Sequence, residues 1–168
     1  MFLVIIECLI FFGYLTFIVI RFGMLDSISK SYYKLNEGNR NQGWMFTVFI
    51  CALGVPLFTL EVGWFFYAGA GLFFTGIAAE YKEKLTSTVH YCGTAGCIAL
   101  AATGLAVEDN FLPVAGLLTA TFLFWLCKIS NRTTWVEINA FVFIILGLAN
   151  RFNVIKLKLT WQNIQQLL

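Results

Sequence analysis

The sequence predicts an all-α protein: a polytopic transmembrane bundle of about six helices with interfacial amphipathic segments. Three observations lead there. Hydrophobic residues make up 60% of the 168 positions and charged residues only 12%, where a soluble domain carries about 25% charged residues. The apolar residues gather into long runs that a bilayer, but not a soluble core of this size, can accommodate. The basic residues also cluster in alternate connections, as the positive-inside rule requires of a multi-pass chain.

The chain opens on "MFLVIIECLIFFGYLTFIVI", with no basic n-region and no A-x-A site. That pattern reads as a retained transmembrane helix rather than a removable signal peptide. Further spans are expected near 44–60, 62–79, 87–107, 111–128 and 134–150, after a first at 2–20. Together they form a single transmembrane domain over 1–168. Pro56 falls inside the second span and should kink it. Pro113 follows the turn "VEDNFLP" and suits the first turn of the fifth span, where a missing N–H costs nothing.

Arg21, Lys30, Lys34, Arg40, Lys82, Lys84, Lys128 and Arg132 all fall on one side if the N-terminus is outside. The opposite loops hold only Glu61, Glu108 and Asp109. This favours an N-out, C-out arrangement, although Arg151, Lys156 and Lys158 then lie outside. A broken last helix would instead bring the tail inside. Two segments read as interfacial. In "LDSISKSYYKL", Asp26 and Ser27 can cap a helix whose Ile28, Tyr32 and Leu35 share one face, with Tyr32 and Tyr33 suited to the headgroup layer. The tail 152–168 alternates in its first half and reads as helical in its second.

Small residues mark the expected helix contacts. Gly71, Thr75 and Ala79 form one row in the third span. Cys92 with Gly96, and Ala95 with Ala99 and Thr103, form rows in the fourth. Lipid and protein surfaces are equally apolar here, so close backbone approach must drive association. The third and fourth spans are therefore expected at the centre, with the Phe-rich first, fifth and sixth wrapping them.

Ionisable residues inside spans are candidates for function. They are Glu7, the single histidine His90, Glu137 and the neighbouring amide Asn139, with Glu80 at the inner edge. His90 shares a face with Thr94, Cys97 and Ala101, and Glu137 shares one with Ala140, Ile144 and Gly147. Both faces should point inward, and a contact between His90 and Glu137 is geometrically possible. Lys82, Lys84, Lys128 and Arg132 could hold a lipid headgroup.

Other chemistries lack their residues. A zinc hydrolase needs three or more N, O or S ligands at metal spacing, which one histidine and scattered cysteines do not offer, and haem ligation by a histidine pair fails with a single histidine. The five cysteines are odd in number and contain no CxxC, which argues against a disulfide framework or a Cys-based metal site. No G-x-S-x-G occurs, and Ser27, Ser29, Ser31, Ser87 and Ser130 all lie at span edges. A net charge of +2 gives no nucleic-acid footprint. No cofactor is expected. The Asn131-Arg132-Thr133 sequon falls on the inner side and is read as chance.

The stretch "EYKEKLTSTVHYCGTAG", an acidic–basic loop leading into a helix headed by one histidine, is similar to six-helix membrane proteins of the DRAM/Frag type. "SISKSYYKL" and "FFYAGAGLFFTGIAAEYK" resemble uncharacterised multi-pass membrane proteins of gut bacteria and their phages. The resemblance implies a prokaryotic or phage inner-membrane bundle, with His90 as the matched position and no activity to carry over. The functional expectation is a non-enzymatic membrane protein that binds membrane lipids, a membrane protein partner or a second copy. The alternative is a small proton-coupled transporter or channel using His90, Glu80 and Glu137.

Overall fold

A computed structural model of the chain describes residues 2–37, 41–60, 63–79, 84–107, 111–127 and 130–152. Among them the secondary structure is helical, with seven α-helices and no strand. They are α1 (Phe2–Phe22), α2 (Lys30–Asn36), α3 (Trp44–Phe58), α4 (Gly63–Ala78), α5 (Lys84–Val107), α6 (Phe111–Leu126) and α7 (Arg132–Arg151). Three of these, in α1, in α5 from Val89 and in α7, are long and apolar enough to cross a membrane. Glu61, Glu80, Lys82, Glu108, Asp109, Lys128 and the tail from 153 lie outside the described residues.

α1 runs for 21 residues, or about 31 Å at 1.5 Å per residue, close to the hydrocarbon thickness of a bilayer. It stops at Gly23, whose φ of 75° only glycine adopts freely. The Gly23 N–H returns to the Val19 carbonyl at 2.9 Å and closes the last turn. The chain then bends beneath the bundle and forms α2. The N-cap position is Ser29, without a side-chain cap bond, rather than Asp26 or Ser27; the Ser27 hydroxyl accepts from the Lys30 N–H at 3.3 Å in the turn just before the helix. The face of Ile28, Tyr32 and Leu35 read from the sequence is buried, but against protein rather than in a headgroup layer; only Tyr33 of the tyrosine pair stays exposed. The Asn36 side chain accepts from the Gly43 N–H at 2.8 Å and leads the chain into α3.

Pro56 lies in the last turn of α3 rather than mid-helix. Thr59 closes that turn, donating from its N–H and its hydroxyl to the Pro56 carbonyl.

α4 packs between α3 and α5 with almost no side chain intervening. A Cβ at Gly69 would stand 2.9 Å from the Gly54 carbonyl of α3. A Cβ at Gly71 would stand 2.8 Å from the Gly93 carbonyl of α5, and one at Gly93 would meet Thr75 Oγ1 at 2.8 Å. Such approaches gather dispersion and helix–helix polar contacts that bulkier residues would block. The sequence rows therefore need correcting on α5. The side facing α4 carries Gly93 and Cys97, whereas Cys92, Ala95, Ala99 and Thr103 are exposed and Gly96 has open space beside it.

α7 is likewise not a wrapping helix. It buries 44% of its most apolar stretch, against 22% for α1 and for α5. A Cβ at Gly147 would stand 2.5 Å from Leu105 of α5, and one at Gly116 of α6 would collide with Phe143. On the α1 side Phe11 meets Phe141 at 5.0 Å, and Tyr14 stacks on Phe49 of α3 at 3.9 Å. Gly147 of α7 and Gly116 of α6 let α7 sink inward, which Phe content alone did not reveal.

Gly93→Leu should cost about 1–3 kcal/mol of stability by overpacking the α4–α5 contact. Gly96→Ala, three residues away in open space, should be neutral or gain up to about 1 kcal/mol. Unfolding midpoints of the two variants in mild detergent check the contrast.

Candidate functional site

The polar residues of the bundle concentrate at one end, where the connection between α1 and α2 crosses the start of α7. This connection is irregular, so its backbone groups need partners from elsewhere. α7 supplies them. Asn131, at φ 57° just before the helix, donates its side-chain amide to the Met24 carbonyl at 3.2 Å. The Thr134 hydroxyl donates to the Leu25 carbonyl, and its N–H donates to the Asp26 carbonyl at 3.2 Å. One turn further, Glu137 Oε2 accepts from the Ile28 N–H at 2.6 Å. Beneath these, the Ser31 hydroxyl donates to the Ile28 carbonyl at 2.6 Å and lies 2.7 Å from the Tyr14 hydroxyl of α1.

His90 reaches the same region from α5. Its Nδ1 lies 2.9 Å from the carbonyl of Thr75, in the last turn of α4. A carbonyl can only accept, so Nδ1 carries the proton in this bond. Thr94, one turn along from His90, donates its hydroxyl to the His90 carbonyl at 2.9 Å and lies 3.3 Å from the Thr75 hydroxyl. Thr75 in turn donates to the Gly71 carbonyl at 2.9 Å. The close α4–α5 approach at Gly71 and Gly93 is what brings these threonines within reach.

His90, Thr94, Thr75 and Glu137 line one cavity of about 20 Å³, walled otherwise by apolar side chains such as Phe46 and Phe141. That is room for one water molecule, with polar partners on several sides. His90 and Glu137 thus share a cavity, yet each holds a backbone group: the imidazole on α4, the carboxylate on the α1–α2 connection.

The remaining candidates scatter. Asn139 turns the other way on α7 and donates to the Leu117 carbonyl and the Thr121 hydroxyl of α6, each at 3.3 Å. Glu7 is buried on the inner face of α1, with Val4 and Phe11, and does not line the cavity. Arg132 is exposed at the start of α7. Glu80, Lys82 and Lys128 fall outside the described residues, as does the side chain of Lys84. No cluster of three or more His, Cys, Asp or Glu side chains that could hold a metal occurs among the described residues. The five cysteines are free thiols, with Cys97 buried and Cys92 and Cys127 exposed.

Sequence reasoning missed Asn131, Thr134, Tyr14 and Ser31. The Asn131 and Thr134 pair ahead of an apolar run was the available signal, since such residues commonly satisfy backbone at a helix start. They serve here a connection more than a hundred positions distant, which no local pattern encodes.

Glu137→Ala should leave the Ile28 N–H without its partner, a cost of about 1–3 kcal/mol. Glu137→Gln keeps a carbonyl acceptor in place and should retain most of that stability. Amide hydrogen exchange across residues 24–29 should speed up in the alanine variant and stay near wild type in the glutamine variant. Equal exchange in the alanine variant and wild type would show that the contact does not hold the connection.

No family model matches this chain, and neither the curated proteins nor the solved structures contain a match.

Proposed function

We propose that this chain is a non-catalytic integral membrane protein in which α1 and α3 to α7 each cross the bilayer, and that it binds membrane lipids or a membrane protein partner. The observation that carries the reading is the distribution of exposed apolar side chains. They include Ile5, Leu9 and Phe12 on α1, Val48 and Val55 on α3, Phe66, Phe74 and Ile77 on α4, Tyr91 on α5, and Leu118 and Phe122 on α6. Soluble monomers rarely expose contiguous apolar patches beyond a few hundred Å². Hydrocarbon accepts such surfaces on every side. The helices shorter than a full span, α3, α4 and α6, can be matched by local thinning of the bilayer.

The polar end supports the same reading. Irregular backbone at membrane depth is tolerated where protein satisfies it. Asn131, Thr134 and Glu137 do this for the α1–α2 connection. His90 and Glu137 then serve to fix the register of α4, α5 and α7.

A second reading, a small proton-coupled transporter or channel, is favoured by one observation: His90 and Glu137 line a single water-sized cavity. It would need Glu80 or another group to extend the path.

Three measurements test these readings. Alkaline carbonate should leave the chain in the membrane fraction, and release into the soluble fraction would reject membrane insertion. A cysteine placed by Gln166→Cys, with the native cysteines removed, should react with an impermeant thiol reagent on intact cells. Reaction only after the membrane is opened would put the tail inside and, with the N-terminus outside, remove α7 as a full span. For the second reading, wild type in proteoliposomes is expected to carry no proton flux that His90→Asn removes. A reproducible His90-dependent flux would replace the binding reading with the transport one.

A further inference from the structure

A wide recess lies away from His90, between α5, α6 and α7. It has a volume of about 620 Å³, within the range of about 300–1,000 Å³ typical of ligand clefts. Ala95, Ala99 and Ala102 floor it on α5, Leu117 and Phe122 wall it on α6, and Val136 and Ala140 close it on α7. The recess exists because the alanines supply no side-chain volume where α5 meets α6. Its polar neighbours already have partners: Asn139 spends its amide on the Leu117 carbonyl and the Thr121 hydroxyl. The lining is therefore apolar and has no use for water. Left empty, it forfeits the dispersion contacts of every atom along it.

A basic residue of α7 lies one turn ahead of the lining, though not in it. Arg132, exposed at the first position of α7, precedes Val136 and Ala140 by one and two turns on the same face. From Arg132 to Ala140 is about 12 Å along the helix axis at 1.5 Å per residue. A ligand that fits has an anionic head at Arg132 and a flexible apolar body reaching inward. We infer that this cleft binds an anionic membrane phospholipid, one acyl chain lying over Ala95, Ala99 and Ala102 and the phosphate at Arg132. The inference rests on the membrane-binding reading above and specifies its ligand and place.

The test uses the full chain purified from membranes in mild detergent. Palmitoyl-oleoyl phosphatidylglycerol or the corresponding phosphatidylcholine is added, and bound lipid is counted by native mass spectrometry. Wild type should retain phosphatidylglycerol about fivefold better, the factor expected from one basic residue near an anionic surface. Arg132→Gln should bring the two lipids to parity. Ala99→Trp, which fills the cleft, should lower retention of both. Should Ala99→Trp lose helicity by circular dichroism, Arg132→Gln alone decides, because its side chain is exposed. Equal retention of the two lipids by wild type, or an undiminished preference in Arg132→Gln, overturns the proposal. So does a protein dimer that forms at the expense of bound lipid and is broken by Ala99→Trp. A chain that resists carbonate extraction yet shows no preference refutes the anionic site alone, whereas a chain released by carbonate refutes the membrane reading beneath it.

Discussion

The architecture depends on how the backbone between α1 and α2 is satisfied. A helix closes its own hydrogen bonds, but residues 24–26 do not, and only the carbonyls of Ser27, Ile28 and Ser29 are taken up by the first turn of α2. Asn131, Thr134 and Glu137 give that backbone its donors and acceptors from the start of α7. A buried polar group left unpaired costs about 1–3 kcal/mol, so these contacts set where the first and last helices stand relative to each other. Once α7 is held against α1, Phe141 meets Phe11, and Phe49 of α3 comes against Tyr14.

Two kinds of packing then divide the bundle. Along α3, α4 and α5 the contact is backbone against backbone, with Gly54, Gly69, Gly71 and Gly93 removing the side chains that would separate the helices. Around α1, α3 and α7 it is ring against ring. The first kind allows little adjustment, since a single added methyl meets a carbonyl. The second fills volume with side chains that can shift. His90 stands where the two regimes meet. It holds the end of α4 through the Thr75 carbonyl, and it shares a cavity with the carboxylate that holds the α1–α2 connection.

The same distribution of small residues shapes the surface. Where glycine on one helix meets glycine on the next, the gap closes. Where the alanines of α5 meet no small partner on α6, it stays open as a cleft that Val136 and Ala140 of α7 also line. Packing and recess are thus two results of one residue type, separated only by what the neighbouring helix presents.

The sequence by itself determined the helical class, the places of the long apolar segments and the inward faces of α5 and α7. Each follows from local periodicity. Cys97 and Ala101 are buried on the His90 face, and Ala140 and Ile144 on the Glu137 face. It also located the helical turn around Tyr32, although that face meets protein rather than lipid headgroups. The tertiary structure decided which small-residue rows pack. Cys92, Ala95 and Ala99 have the spacing of a contact but face outward, because only the approach of α4 selects the Gly93 side. It decided that α7 is an inner helix, since the glycines admitting it lie partly on α6. It also decided the partners of His90 and Glu137. Both bind backbone carbonyls or amides, which every residue carries and which therefore leave no trace in the sequence.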